Sequence, residues 1–227
     1  MTNIYNNDFI DAINDYYFLI NKSYSKRVVL KIVSDRYRLN HDQRTILYRG
    51  IFCNNVVCEV KSKLTRILND EAIYIDGFNV LFRIVHYLLG RPLFISNDGL
   101  LRDAGKWDEK LYFNNIFKDS LMLFMKYLNL INSKIVVIYM DNRFNLNDKK
   151  EFESIFYVIS DNYINRKFNI IWSDDVDSDL KIKKESVVVT SDIEIILATK
   201  AKIFDLSRMI LENEYHSEFV NISQFIM

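Results

Sequence analysis

The sequence predicts an α/β protein: an N-terminal helical module over residues 1–68, followed by a three-layer α/β/α domain with a mostly parallel sheet over residues 69–227. Apolar residues in the first part recur every three to four positions, which is the spacing of one helical face. From Ala72 onward the chain contains short, nearly continuous runs of β-branched and aromatic residues, typical of strands covered on both faces. Helical patterns separate these runs, and strands that alternate with helices build layered parallel sheets.

Helices account for the whole N-terminal module in this interpretation. The apolar spacing places them over residues 8–20, 26–37, 41–49 and 56–68. Asn40 and Gln43 form the pattern of a capping box at the start of the third helix. Gly50 is expected to end that helix in the left-handed conformation.

Strands dominate the pattern of the second part. They are expected over residues 73–76, 135–141, 168–172, 187–192 and 201–206. Helices are expected between them, over residues 80–89, 111–129 and 149–162. Right-handed crossovers would then connect parallel neighbours in one sheet.

Composition gives only a weak indication of partners. The chain has 30 basic and 30 acidic residues, so its total charge favours no partner class. Residues 1–67 hold 11 basic and 6 acidic residues, against 19 basic and 24 acidic residues in the remainder. This asymmetry weakly indicates that the two parts have different roles. We expect a cytoplasmic protein with no membrane partner, because no apolar run approaches the ~18 residues of a membrane helix and the N-terminus lacks the pattern of a signal peptide.

Aspartates follow four of the predicted strands: Asp76, Asp141, Asp174 with Asp175, and Asp192. The carboxyl ends of parallel strands form one edge of a sheet, and ligands bind in the crevice there. Clustered carboxylates repel one another unless they are protonated or neutralised by a cation. Oxygen ligands suit Mg²⁺ or Mn²⁺, and such an ion can activate water and stabilise an attacked phosphate.

This pattern predicts a metal-dependent phosphodiesterase whose metal ligands are Asp76, Asp141, Asp175 and Asp192. Asp98 and Asp103, in the loop between residues 96 and 103, are weaker candidates together with Asp174. The alternative for each of these residues is structural, since an aspartate after a strand commonly serves as a turn or helix-cap residue.

Arginines cluster around the second and third predicted helices, which resemble a helix–turn–helix pair. They are Arg36, Arg38, Arg44 and Arg49, and with Arg102 they are candidates for holding nucleic-acid phosphates. The alternative is that they pair with nearby acids, such as Asp35 and Asp42. The sequence contains no G-x-G-x-x-G or Walker loop, so nucleotide binding by those routes is not indicated.

Two motifs resemble PIN and NYN-type nuclease domains. Ile75-Asp76-Gly77-Phe78-Asn79-Val80 is similar to their first-strand motif, and Thr190-Ser191-Asp192 is similar to their late-strand motif. Ser173-Asp174-Asp175 lies where NYN-type members often carry another aspartate. The resemblance implies a PIN-like fold and Mg²⁺- or Mn²⁺-dependent cleavage, with RNA the expected substrate. Asp76 and Asp192 would take part in catalysis, and Asn79 would position a ligand water or the first-strand turn.

Over nearly its whole length the chain also resembles the family catalogued as domain of unknown function 434. The shared signatures are Tyr24-Ser25-Lys26, Asp35 to Leu39, Gln43-Arg44 through Tyr48-Arg49, Asp76 to Leu81, Asp98-Gly99 with Arg102-Asp103, and Asp192. This resemblance implies no established activity.

The chain departs from the nuclease pattern at two places. PIN nucleases usually carry an acid on an early helix, but none lies between Val80 and Leu89, so Asp98 or Asp103 would have to substitute. Met140-Asp141-Asn142-Arg143 lacks the Asp-Arg-Pro run that we would expect in close relatives. A non-catalytic nucleic-acid-binding module and a protein-interaction subunit that keeps the fold therefore stay open as alternatives.

Overall fold

The computed structural model describes residues 4–105, 115–131, 133, 135–143, 146–161 and 168–227, without the side chains of residues 146–148 and 159–161. The chain divides into two compact units. The N-terminal unit contains the described residues of 1–62, 90–106 and 218–227, and the sheet unit contains those of 63–89 and 107–217. Two segments that lie beyond the predicted module of residues 1–68 are thus grouped with the N-terminal helices.

The N-terminal unit is built on helices α1 Asn7–Asn21, α2 Lys26–Arg36, α3 His41–Gly50 and α4 Asn54–Lys63. The capping box predicted for α3 is confirmed: the Asn40 side chain accepts from the Gln43 amide at 2.9 Å, and the Gln43 side chain accepts from the Asn40 amide at 3.1 Å. The apolar faces of α1, α2 and α3 meet in one core, to which Phe9, Ile13 and Val33 contribute. The apolar spacing in the sequence thus corresponds to helices whose apolar sides are buried in this core.

A small sheet completes the N-terminal unit. Strand β2 Leu93–Ile95 pairs antiparallel with β3 Leu101–Asp103 and parallel with β8 Val220–Asn221, and a 3-10 helix follows at Ile222–Phe225. Gly50 does not take the left-handed conformation that we expected from the sequence. Its role is close approach, because a Cβ atom at Gly50 would lie 2.6 Å from Cε2 of Phe94 on β2.

The sheet unit alternates strands and helices, as the sequence predicts. Its elements are β1 Ile73–Asp76, α5 Gly77–Leu88, α6 Asn115–Leu130, β4 Val136–Asp141, α7 Leu146–Asp161, β5 Phe168–Ser173, α8 Val176–Lys181, β6 Val187–Val189, α9 Ile193–Ala198, β7 Lys202–Ile203 and α10 Leu206–Tyr215. Of the predicted helices, residues 111–114 and 162 lie outside the described residues.

The five strands form one parallel sheet in the order β5-β4-β1-β6-β7. The predicted fold class, helices before a mostly parallel α/β sheet, is confirmed. Ile75 of β1 pairs with Ile138 of β4 on one side and with Val189 of β6 on the other. β1 is therefore the central strand, and its carboxyl end lies between those of β4 and β6.

Helices cover both faces of this sheet. Gly77, the first residue of α5, lies so close to Met140 and Ile138 that a Cβ atom would collide with them. Lys183, just after α8, donates to the Tyr139 hydroxyl at 2.9 Å. Successive strand residues point to opposite faces, so α5 and the end of α8 lie on opposite sides of β4. Among the residues that the structure describes, no helix is long and apolar enough to cross a membrane.

Candidate functional site

The strand order places a topological switch point between β1 and β6. From the central β1 the chain builds β4 and β5 on one side, and then β6 and β7 on the other. In open parallel sheets, ligands bind outside the carboxyl ends of the strands where the order reverses. Asp76 ends β1, and Thr190, Ser191 and Asp192 follow β6, so both nuclease-like motifs flank this point.

Asp76 is held by both turns. Its Oδ1 accepts the backbone amide of Asn79 at 3.3 Å, which caps helix α5. Its Oδ2 accepts the hydroxyl of Thr190 at 3.0 Å. Burial raises the pKa of this carboxyl to about 6, against the hydrogen bonds of Thr190 and Asn79 and the charge of Arg83, all of which lower it. The negative charge of Asp192 also raises this pKa, so the two carboxylates interact electrostatically.

Asp192 caps the short helix α9. Its Oδ1 accepts the amides of Glu194 at 2.8 Å and Ile195 at 3.4 Å. Its own amide donates to Oγ1 of Thr190 at 3.1 Å. Capping fixes the carboxylate at the edge of the sheet, beside the turn that holds Asp76.

Asn79 links the two turns. Its side-chain oxygen accepts the Ser191 amide at 3.0 Å and also a guanidinium N–H of Arg83. This oxygen is therefore engaged by the protein itself. Of the two roles predicted for Asn79, positioning the first-strand turn agrees with these contacts.

Arg83 was not singled out from the sequence, although it stands alone among apolar neighbours in residues 80–85. It is 3% exposed, donates from Nε to the Asn79 carbonyl at 3.0 Å and from Nη1 to the Ser207 hydroxyl at 2.9 Å. Nη1 also lies 3.7 Å from Oδ1 of Asp205, in the turn after β7. A buried cation thus occupies the early helix, where the PIN nucleases that the motifs resemble usually carry an acid.

Asp141 and Asp175 are engaged in their own turns. Asp141 accepts the Arg143 amide at 2.9 Å and its Nε at 2.7 Å, and although burial acts to raise its pKa, these bonds and the arginine charge hold that pKa below its usual value. Asp175 caps α8 and accepts the amide and hydroxyl of Ser178 at 3.0 and 2.6 Å, which lowers its pKa. Asp174 accepts the side-chain amide of Asn142.

The four strand-end aspartates thus share one edge of the sheet, and each accepts hydrogen bonds within its own turn. Asp76 and Asp192 differ from the other two in being coupled to each other electrostatically. In the described ranges, no group of three or more His, Cys, Asp or Glu side chains is arranged to hold a metal ion. Asp177 was missed by the sequence reasoning: burial and the charge of Asp192 raise its pKa, so the acidic region extends onto α8. A cation bound here would be held by Asp76 and Asp192 together with water, as suits Mg²⁺, which usually keeps several waters.

The weaker candidates Asp98 and Asp103 belong to the N-terminal unit. Asp98 is fully buried and binds Arg102 through two parallel hydrogen bonds of 2.7 and 2.8 Å. Asp103 lies 3.3 Å from Nη1 of Arg49. Asp98 and Arg102 are a structural pair, because a bidentate contact leaves little of either group for a metal or a phosphate.

Four of the five predicted phosphate-binding arginines, Arg36, Arg38, Arg44 and Arg49, are exposed in the N-terminal unit, whereas Arg102 is buried. Arg36 is 3.7 Å from Asp15, and Arg44 is 3.6 Å from Asp35, which is one of the acids expected as a partner. Arg38 is exposed, with a positive φ of 51°. Exposed ion pairs are weak, so these arginines can exchange an acid for a phosphate at little cost.

Comparisons with known proteins describe the two parts of the chain separately. A family model described as Protein of unknown function (DUF434) matches residues 8–63, which confirms the family-434 resemblance for the N-terminal part alone. Uncharacterized protein MJ0935 of Methanocaldococcus jannaschii is 30% identical over 132 residues, or 57% of this chain. The match spans 63% of that protein, less than two thirds of its length. No solved structure matches the chain.

The later part of the chain, which the resemblance had assigned to the same family, matches a different model. That model covers residues 65–209, which include the whole parallel sheet with Asp76 and Asp192. The chain therefore belongs to the family described as Domain of unknown function (DUF5616).

Proposed function

We propose that the sheet unit is a PIN-like nuclease domain that cleaves RNA with the help of Mg²⁺ or Mn²⁺ held by Asp76 and Asp192. One observation carries the proposal: these two aspartates follow the neighbouring strands β1 and β6, on either side of the switch point, and are coupled through Thr190. This is the place where open parallel sheets bind ligands.

Each residue has a distinct task in this proposal. Asp76 and Asp192 supply the oxygen ligands, and the Thr190 hydroxyl fixes the orientation of Asp76. Asn79 and Arg83 hold the two turns in register. When bound, the ion would supply an activated water and stabilise the charge on the attacked phosphate.

Direct cleavage is the test. Wild-type protein should cut a single-stranded oligoribonucleotide in the presence of Mn²⁺, and Asp76→Asn and Asp192→Asn should each abolish cleavage while keeping the circular dichroism spectrum. Asp141→Asn and Asp175→Asn are matched controls, because they are strand-end aspartates whose carboxylates are engaged by Arg143 and Ser178. Equal loss in all four variants would contradict the assignment of the pair.

Arginines of the N-terminal unit would hold RNA phosphates. Arg36→Ala combined with Arg44→Ala should lower the slope of log K against log salt by up to about two. Lys61→Ala, an exposed change on α4, serves as the single-charge control. An unchanged slope in the double variant would remove these arginines from the binding surface.

A second candidate is a non-catalytic RNA-binding module. It is favoured by the local engagement of Asp141 and Asp175, and by the lack of a group of three ligating side chains among the described residues. A wild-type protein that binds RNA but cuts it with neither ion would select this candidate. A protein that shows neither RNA binding nor stabilisation by either ion would be assigned to the protein-interaction class.

A further inference from the structure

A lysine of the N-terminal unit lies in a cage of aromatic rings. Lys26 is the first residue of α2 and is half-buried. Its Nζ is 3.8 Å from the ring centroid of Phe52 and 4.9 Å from that of Tyr48. Phe52 is buried, whereas Tyr48 is 40% exposed, so the amine lies between a buried ring and a partly exposed one.

A second cation shares the Phe52 ring. The guanidinium carbon of Arg102 is 4.7 Å from the same ring centroid, and Arg102 is buried. The backbone of Phe52 is fixed by Asn97, whose side chain accepts the Phe52 amide at 3.0 Å and donates to its carbonyl at 2.8 Å. The backbone from which this ring projects is therefore held in place by two buried hydrogen bonds.

The Asp98 carboxylate of this cluster is already engaged in hydrogen bonds. Asp98 binds Arg102 through both oxygens, and its Oδ1 also accepts the Leu100 amide at 3.1 Å. Its charge is largely balanced by the guanidinium that it holds, so little of it remains to compensate the ammonium form of Lys26.

These groups oppose one another in setting the charge of Lys26. Burial lowers its pKa most, and the positive charge of Arg102 lowers it further. The charges of Asp98 and Cys53 raise it, and the faces of Phe52 and Tyr48 also favour the ammonium form. The balance brings the pKa down to about 7, which leaves a large neutral fraction at neutral pH.

We propose that Lys26 is a nucleophilic amine and a site of covalent acylation by small activated acyl donors, namely thioesters and acyl phosphates. A lysine covered by apolar groups beside a second cation is activated in this way. The neutral Nζ attacks the acyl carbon, and an amide C–N bond forms as the C–S or C–O bond breaks. Thiolate or phosphate leaves with the electron pair, and the proton of the amine passes to solvent.

The fold is expected to tolerate this modification. Acylation removes the charge that Arg102 repels, and the Asp98–Arg102 pair needs no new partner. The site goes beyond the proposed nuclease function and does not depend on it, because its readout requires neither metal nor RNA.

Competitive acylation of the full-length wild-type protein tests the proposal. Trace acetic anhydride is added between about pH 6 and pH 9, and the rate at each lysine is read by mass spectrometry of peptides. Lys26 should react about tenfold or more faster than Lys22 at neutral pH, because a lower pKa enlarges the neutral fraction. Lys22 is the matched control, an exposed lysine whose Nζ lies 5.5 Å from the Phe18 ring.

The same preference is expected with acetyl phosphate, a representative acyl phosphate. Lys26→Arg should remove the fast-reacting fraction and leave the rate at Lys22 unchanged. A Lys26 rate no higher than that of Lys22 would overturn the proposal, as would a titration midpoint close to 10.5, the ordinary lysine value. Both readouts use wild-type protein, so they stand even if the variant does not fold.

Discussion

The hydroxyl of Thr190 donates to Oδ2 of Asp76 at 3.0 Å. The Thr190 hydroxyl oxygen in turn accepts the backbone amide of Asp192 at 3.1 Å. One buried hydroxyl thus joins the turns that follow β1 and β6. It fixes the carboxylate of Asp76 and the backbone of Asp192, on the two sides of the switch point of the sheet.

Replacing this hydroxyl should loosen the pair. Thr190→Val keeps the shape but leaves Oδ2 of Asp76 without its donor, so we expect a loss of about 1–3 kcal/mol in the free energy of unfolding. The pKa of Asp76 should also rise further, which carboxyl-carbon NMR can follow. Thr199→Val is the control, because it removes a buried hydroxyl that binds the Lys183 carbonyl. A pKa shift of the same size in that control would contradict the link through Thr190.

Asp76 should make the metal-free protein less stable as pH rises. Its folded pKa of about 6 lies above the unfolded value of 3.8, so the folded state holds the proton more tightly. The stabilising contribution is complete below pH 3.8 and is lost as pH rises through 6. The loss is on the order of 2 to 3 kcal/mol.

Asp76→Asn should remove this part of the pH dependence. Urea unfolding of wild type and variant at intervals from about pH 4 to pH 7 gives the difference directly. Parallel pH curves for the two proteins would show that the carboxyl keeps its ordinary pKa in the fold.

Gly77 should tolerate no side chain. A Cβ atom there would meet Met140 as well as Ile138 Cγ2 and the Tyr139 carbonyl at 3.0 Å each. Gly77→Ala is therefore expected to cost about 1–3 kcal/mol of stability through overpacking. In a Met140→Ala background the same change should cost less, since the flexible sulfur end is gone. Equal costs in both backgrounds would show that Met140 does not restrict this position.

The Asp98–Arg102 pair should matter far more than the Arg49–Asp103 pair. Asp98→Asn leaves a buried guanidinium without its counter-charge, at a cost of about 3–5 kcal/mol. Asp103→Asn removes a partner from a half-exposed arginine and should cost about 1 kcal/mol or less. Although burial opposes it, Arg102 holds the pKa of Asp98 below its usual value, so this contribution is present at neutral pH and is lost as pH falls. Similar costs in thermal unfolding would contradict this ranking.

The large elements were predictable because each carries its own pattern. The β-branched runs at residues 136–141 and 187–189 became parallel strands, and Asn40 with Gln43 formed the capping box. Strands β2, β3 and β8 were missed because two or three residues are too few to show a period of two. The role predicted for Gly50, a left-handed helix end, was wrong. Its actual role depends on the close approach of Phe94, which lies 44 residues away and leaves no sign in the local sequence.

The candidate site was predicted as a set of residues but not as a network. Strand-end position identified all four aspartates, yet it cannot tell which carboxylate is left for a ligand. In the structure, Arg143 and Ser178 engage Asp141 and Asp175, whereas Asp76 is linked to the turn of Asp192 through Thr190, and our proposal for the pair rests on this difference. Thr190 and Arg83 act across strands, so their roles depend on contacts that no sequence spacing encodes.

Metal binding by the isolated protein tests the Asp76–Asp192 pair most directly. Calorimetric titration with Mn²⁺, repeated with Mg²⁺, should show binding to wild type that is lost in Asp76→Asn and in Asp192→Asn. Thermal unfolding should agree, because saturation at about 100 times the dissociation constant adds about 2.7 kcal/mol to stability. Asp141→Asn should bind as wild type does, since Arg143 engages that carboxylate. Unchanged Mn²⁺ affinity in both Asp76→Asn and Asp192→Asn would contradict a metal centre at the switch point.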